Sequence, residues 1–217
     1  MRGTLSVFTR SAAAGPRAAA VLATLRGVAD EIVVAIDSRA DPAAHVDVAA
    51  VADRILVYPY ADPVERATPW LFAQCRCDWA LAIDDDEVPS LELLEALPEL
   101  LADRSVAHCS FPIRWLFPDT ATYLDEWPWR PHYAARLLRT DERLIRFSDE
   151  MHRSILTTGP GRFLPHPLVY VQVFPAAVFS YREPGRVKEP GLVFLDHPDG
   201  ALFPELAVAL DQLPGGE

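Results

Sequence analysis

The chain has 217 residues, half of them apolar and about a quarter charged, and its formal net charge is −11. That composition suits one globular domain with room for a sizeable core. The acidic balance argues against a general binder of nucleic acid or of anionic membranes, which need a basic footprint, and no run of eighteen apolar residues exists to span a bilayer.

Leu5-Ser6-Val7-Phe8-Thr9 reads as a short first strand, and Gly15-Pro16 opens a helix with proline at its first position. Ala18, Val21, Leu22 and Leu25 line one face of that helix, which Gly27 is placed to end. Arg10, Pro16 and Arg17 interrupt the alanine-rich start, so it makes no secretory signal and a cytoplasmic location is expected. Ile32-Val33-Val34-Ala35-Ile36 is a second strand running directly into Asp37. A helix from Pro42 to Ala52, a strand at Ile55-Leu56-Val57-Tyr58 and a helical segment through Trp70, Leu71, Phe72 and Gln74 follow. Cys75, Cys77 and Cys109 have the wrong spacing for a zinc knuckle or a dithiol redox motif and are expected to be buried free thiols.

Trp79-Ala80-Leu81-Ala82-Ile83 then runs into four consecutive acids, Asp84, Asp85, Asp86 and Glu87. An apolar run without alternation suits a strand covered on both faces, and its acids fall at the carboxyl end, where open α/β sheets hold ligands. Four adjacent acids repel one another, so they make most sense facing a cation, and hard oxygen ligands select Mg2+ or Mn2+. A solvated acidic turn opening the next helix is the plainer reading.

Pro89-Ser90 starts that helix through Leu91, Leu94 and Leu97, with Pro98 expected to break or restart it. Val106 to Ile113 reads as a strand. Trp115, Phe117, Tyr123, Trp127 and Trp129 then crowd a segment punctuated by Pro118, Pro128 and Pro131, which reads as a loop or hairpin. Short β-like runs follow at 133–139, 144–147, 151–157, 169–174 and 178–181, then a loop over 185–198 and a short helix over 203–213. The alternation of strands and helices implies one α/β domain over 1–217: a mostly parallel, helix-flanked sheet in 1–113, and a small antiparallel region within the C-terminal half, 114–217.

The order of these signals resembles the GT-A fold, a Rossmann-like nucleotide-sugar-binding fold, and specifically family 2 glycosyltransferases. The resemblance rests on Val7-Phe8-Thr9-Arg10, on the strand ending in Asp37-Ser38, and on Asp84-Asp85-Asp86 as a D-x-D motif. Trp129-Arg130-Pro131-His132-Tyr133-Ala134-Ala135-Arg136-Leu137-Leu138-Arg139 is similar to a W-x-P-x-Y-x-x-R-L-x-R stretch of the branch acting on bacterial saccharide and lipopolysaccharide-core acceptors. Arg146-Phe147-Ser148-Asp149-Glu150-Met151-His152 resembles the same branch's R-[FY]-x-x-x-[VM]-H segment.

The resemblance implies an inverting, metal-dependent transfer of a sugar from a nucleoside-diphosphate donor to a hydroxyl of a saccharide or small molecule. Mg2+ or Mn2+ would be held directly by Asp86, through water by Asp84, and by His152, which could instead contact the diphosphate. Thr9, Arg10, Asp37, Asp84, Asp85 and Arg136 would bind the donor, with Arg139 also placed to meet phosphate. Asp149 and Glu150 are the candidates for the base that takes the acceptor's proton. Trp115, Trp127 and Trp129 offer flat apolar faces suited to sugar rings, and the plainer alternatives are core packing for these tryptophans, a turn cap for Asp37, salt bridges for Arg136 and Arg139, exposed turn positions for Asp149 and Glu150, and a structural hydrogen bond for His152. A homo-oligomer is compatible with the sequence. The alternative function is a degenerate domain that binds a nucleotide or a protein partner without turnover, supported by the short C-terminal region and by Arg153 where the branch commonly has Glu.

Overall fold

The structure, a computed structural model, describes residues 3–11, 15–40, 45–58, 67–85, 87–115, 122–124, 133–141, 143–148, 155–165, 168–170 and 192–194. In chain order these form β1 (Leu5–Ser11), α1 (Pro16–Ala23), β2 (Glu31–Asp37), α2 (His45–Ala49), β3 (Arg54–Tyr58), α3 (Thr68–Phe72), β4 (Trp79–Ala82), β5 (Glu87–Pro89) and α4 (Leu91–Ala102). There follow β6 (His108–Trp115), β7 (Thr122–Leu124), β8 (Tyr133–Arg139), β9 (Ile145–Phe147), β10 (Ile155–Thr157), β11 (Gly161–Phe163), β12 (Leu168–Tyr170) and β13 (Leu192–Phe194).

One nine-stranded sheet carries the fold, in the order β3-β2-β1-β4-β8-β6-β12-β5, with β11 also paired to β6. The first four strands of that order are mutually parallel, and β8 enters antiparallel between β4 and β6. Parallel pairings outnumber antiparallel ones five to three, so the expected mostly parallel, helix-flanked α/β sheet is observed. Two antiparallel pairs, β9–β10 and β7–β13, make the small additional β region.

Every residue of β2 and β4 is buried because helices cover both faces of the sheet. On one face Leu5, Val7, Val34, Ile36, Leu81 and Ile83 pack with α1, α2 and α4, the last presenting Leu93, Leu97, Leu100 and Leu101. On the other, Phe8, Val33, Ala35, Ala80, Ala82 and Leu138 pack with Leu71 and Phe72 of α3 and Ile145 of β9. Phe72 bridges two layers there, its ring centroid 6.2 Å from that of Phe8 and 5.3 Å from that of Phe147.

Several sequence-based boundaries move, each for a local reason. α1 ends at Ala23 rather than near Gly27, since Thr24, Leu25 and Arg26 bond to carbonyls three residues back and the last turn tightens. α2 is shorter than expected within the described residues. α4 continues through Pro98 instead of breaking there, with Ser90 as its N-cap accepting from Leu93 N at 3.2 Å and buried leucines on both sides of the proline. Glu87 to Pro89 is a strand rather than the run-up to that helix. Residues 192–194, expected in a loop, form β13, and β11 was not expected. The β-like run at 178–181 and the helix at 203–213 lie outside the described residues. Cys109 is buried, whereas Cys75 and Cys77 are only half-buried; all three thiols are free. Among the described residues no helix is long and apolar enough to cross a membrane.

Candidate functional site

Sheet order places the site. Within the parallel part, chain order reverses between β1 and β4, since β2 and β3 lie on one side of β1 and β4 on the other. At such a switch point the connections leave in opposite directions, and a crevice opens beyond the carboxyl ends of the two strands. The carboxyl end of β1 supplies Thr9, Arg10 and Ser11, and that of β4 leads into Asp84 and Asp85. Asp37 ends β2 beside them, its register partner on β3 being Tyr58.

Strand alternation sorts these side chains by face. Phe8, Val33, Ala35, Ala82 and Leu138 face α3, so two residues along each strand Arg10, Asp37, Asp84 and Arg136 belong to that same face. Arg10 Nη2 donates to Asp84 Oδ1 at 3.0 Å, and Arg136 Nη2 donates to Asp84 Oδ2 at 3.0 Å. Arg10 Nη1 also donates to Thr68 Oγ1 at the start of α3. Arg136 further reaches Glu87 Oε1 at 2.5 Å, while Glu87 Oε2 accepts from Asp84 N at 2.9 Å. On the opposite face Ser11 Oγ donates to Asp85 Oδ2 at 2.6 Å. Asp84 and Asp85, adjacent in sequence, therefore serve opposite faces of the sheet.

The four acids expected to face a cation together do not form one open group. Glu87 is wholly buried and turned to Arg136, its N–H donating to Asp84 O at 3.1 Å as the chain enters β5, which pairs with β12. Burial pushes the Asp84 carboxyl up, but the Arg136 and Arg10 guanidiniums outweigh it and hold the group below its ordinary value. Asp37 is buried, with Arg39 bonding to both its oxygens through N, Nε and Nη2 at 2.8–3.3 Å. These bonds hold the Asp37 carboxyl low. Arginines thus supply much of the positive charge the acidic stretch requires.

Phe8, Thr9, Arg10, Thr68, Ala82, Ile83, Asp84, Arg136 and Ile155 line a crevice of about 10 Å3 at this point, close to the space one water needs. No group of three His, Cys, Asp or Glu side chains among the described residues is arranged to hold a metal ion. Both Asp84 oxygens are already bonded to arginines, so the described donors do not fit a hard-cation site on their own. Asp86, Asp149, Glu150 and His152 lie outside the described residues, as do Trp127, Trp129 and the side chain of Trp115.

Of the expected donor-binding residues, Thr9, Arg10, Asp37, Asp84, Asp85 and Arg136 come together at one sheet edge. Arg139 does not: it is paired with Trp79 at the other end of β4, its guanidinium 5.1 Å from that ring's centroid. Sequence reading passed over Thr68, Ser11 and Tyr58. Only Tyr58 carried a usable signal, as the last residue of a strand read as parallel.

The sequence matches no protein-family model and no curated protein. Among solved structures it is similar to the mannosyltransferase PcManGT from Pyrobaculum calidifontis, solved with GDP-Man and Mn2+, at 15% identity and a TM-score of 0.40. That overlap covers 51% of this chain and 36% of the mannosyltransferase, so the chain spans about a third of its length. Residues 1–349 of TarS from S. aureus overlap at 13% identity and a TM-score of 0.49, over 77% of this chain and 60% of that one. A 4-diphosphocytidyl-2C-methyl-D-erythritol synthase from Anaerococcus prevotii overlaps at 16% identity and 0.42, over 63% and 71%.

Proposed function

We propose that the chain is a glycosyltransferase that moves a sugar from a nucleoside-diphosphate donor to a hydroxyl acceptor. One observation carries this reading: Arg10 and Arg136 flank Asp84 across the β1–β4 switch point, with Asp37 on the same edge. Guanidiniums are suited to a diphosphate by their planar, bidentate hydrogen bonding. They stand where an open α/β sheet accommodates a nucleotide.

In this reading Arg10 and Arg136 exchange part of their pairing with Asp84 for phosphate oxygens, which keeps each charge compensated throughout binding. Asp37 accepts from the ribose or base. Arg39 leaves it acceptor capacity, since a carboxylate offers about four lone-pair sites. Thr9 lines the pocket, and Asp84 and Asp85 contact the donor. Asp149 or Glu150 takes the acceptor's proton as the bond to the anomeric carbon forms, opposite the leaving diphosphate, and this inverts the centre. Asp86 and His152, with Asp84, remain the proposed ligands for Mg2+ or Mn2+; the described donors hold no such set, so no step is routed through the ion. The resemblance to family 2 and to its saccharide-acceptor branch supports the same assignment.

A domain that binds the donor without turnover is the second reading, favoured by the engagement of both Asp84 oxygens with arginines. Calorimetry with UDP, GDP and dTDP, with and without Mn2+, followed by a hydrolysis assay on the matching nucleotide sugars, separates the two. A transferase binds one nucleotide preferentially and slowly hydrolyses its sugar conjugate. Binding with no hydrolysis of any conjugate leaves the second reading, and no nucleotide binding at all removes both. Asp86→Ala with unchanged binding and hydrolysis would remove the metal assignment alone.

A further inference from the structure

Tyr58 is a large side chain whose packing leaves one atom unexplained. It ends β3, is 1% exposed, and packs in the core layer on the α3 face with Phe8, Ala35 and Leu71. Its ring lies against that of Trp70, 6.5 Å between centroids at a tilt of 44°. The hydroxyl is buried and has no hydrogen-bond partner among the described residues. Buried tyrosine hydroxyls ordinarily find a partner, and leaving one unmade carries a desolvation cost with no return. A phenylalanine would fill the same ring space without that cost.

Tyr58 does not line the crevice between Arg10, Asp84 and Arg136, but it ends β3 on the same α3 face and at the same carboxyl edge of the sheet. Tyr58 stands directly across from Asp37 in the β2–β3 register. Burial first, and the charge of Asp37 next, push its phenol up, while Arg10 and Arg39 oppose them and Asp85 adds to them. All four charges belong to the carboxyl edge of the sheet. Along that edge chemistry changes with position: the Arg10 and Arg136 guanidiniums meet at β1 and β8, whereas at β2 and β3 the Tyr58 ring, with Trp70 of α3 against it, stands across from the Asp37 carboxylate and its Arg39 partner. The first end suits phosphates, and the second suits a base and ribose, which offer ring edges, hydroxyls and a π-face.

We infer that the Tyr58 hydroxyl is a donor-binding group, hydrogen-bonding the nucleoside part of the nucleotide beside Asp37. The inference rests on the glycosyltransferase reading and deepens it by assigning the nucleoside to the β2–β3 end of the carboxyl edge. A phenol both donates and accepts, so it can meet a base carbonyl, a ring nitrogen or a ribose hydroxyl.

Tyr58→Phe keeps the ring and deletes only the orphaned atom, which makes it a clean test. Binding of UDP, GDP, CDP and dTDP is measured by calorimetry for wild type and variant, together with the melting temperature of each free protein. The expected result is a loss of about three- to tenfold in affinity for the preferred nucleotide, the value of one neutral hydrogen bond. The melting temperature should stay level or rise by about 2–4 °C, because an unsatisfied buried hydroxyl is gone. Unchanged affinity overturns the inference while leaving the donor reading intact. A lower melting temperature accompanying the lost affinity overturns it too, since the hydroxyl would then be structural. A wild-type chain that binds none of the four nucleotides removes the donor reading and this assignment with it.

Discussion

Arg136→Met removes the cation that two carboxylates share while keeping the aliphatic stem's volume. Glu87 is 0% exposed and Asp84 is 26% exposed, against 14% for Arg136. Asp84 keeps Arg10 and some water, so most of the cost falls on Glu87, which retains the Asp84 N–H but loses the guanidinium. Breaking a buried pair costs about 3–5 kcal/mol, and the exposure of Asp84 favours the lower end. About 3 kcal/mol corresponds to a melting temperature lower by roughly 6–12 °C for a chain of this size. The pH dependence has a definite sign. Asp84's carboxyl is held low by Arg136 and Arg10 against the opposing effect of burial, so it contributes stability above the unfolded value near ~4. That contribution disappears as pH falls through the folded value. Losing Arg136 raises the Asp84 carboxyl again, so the gap between wild type and variant is widest at pH 7 and narrows below about pH 4. Thermal melts at pH 7 measure the temperature shift and urea unfolding at a series of pH values measures the gap, both followed by the chain's tryptophan fluorescence, to which buried Trp79 contributes. Adding Glu87→Gln to the variant should recover roughly 1.5–3 kcal/mol as a coupling energy. A variant within about 2 °C of wild type at pH 7 would refute the reasoning, as would a gap that grows in acid.

Other substitutions probe the scaffold. Pro98→Ala restores a helical N–H at an exposed position inside α4 and should stabilise the chain by about 1–3 kcal/mol, read as a higher urea midpoint. Glu31 gathers Ser6 Oγ at 2.6 Å, Arg54 Nη1 at 3.0 Å and Arg76 N at 3.1 Å. Burial raises its carboxyl, and the Ser6 and Arg54 bonds outweigh that and lower it. Glu31→Ala should therefore cost about 2–3 kcal/mol at pH 7, with the difference shrinking as pH drops through the folded value, below about 4.5; a constant difference in acid would contradict this. Burial pushes the Cys75 and Cys109 thiols up to about 12 and about 11. Both should resist iodoacetamide at pH 8 in the native chain and label in urea, as peptide mapping would show.

Much of the scaffold was legible because its signals are local. Val33 to Ile36 and Ala80 to Ile83 lack alternation because helices cover both faces of their strands, and that burial is written into each run separately. Asp37 and Asp84 fell at strand ends by position alone. Glu87 was misread because nothing in four consecutive acids tells which one turns inward. That depended on β5 pairing with β12, about eighty residues later. Pro98 misled for a related reason: its local cost is real, but leucines anchored on both sides of it outweigh that cost.

By itself the sequence determined which stretches are buried strands, which helices flank them, and that acids cluster where strands stop, since these depend on neighbours a few residues apart. Only the tertiary structure decided that Arg10 and Arg136 close on Asp84, that Arg139 sits at the far end of its strand, and that Tyr58 shares the edge with Asp37. These pairings depend on strand order and register, and a one-residue slip sends a side chain to the opposite face of the sheet. Arg10 and Asp84 are separated by 74 residues of chain, and they meet only because β1 and β4 lie side by side.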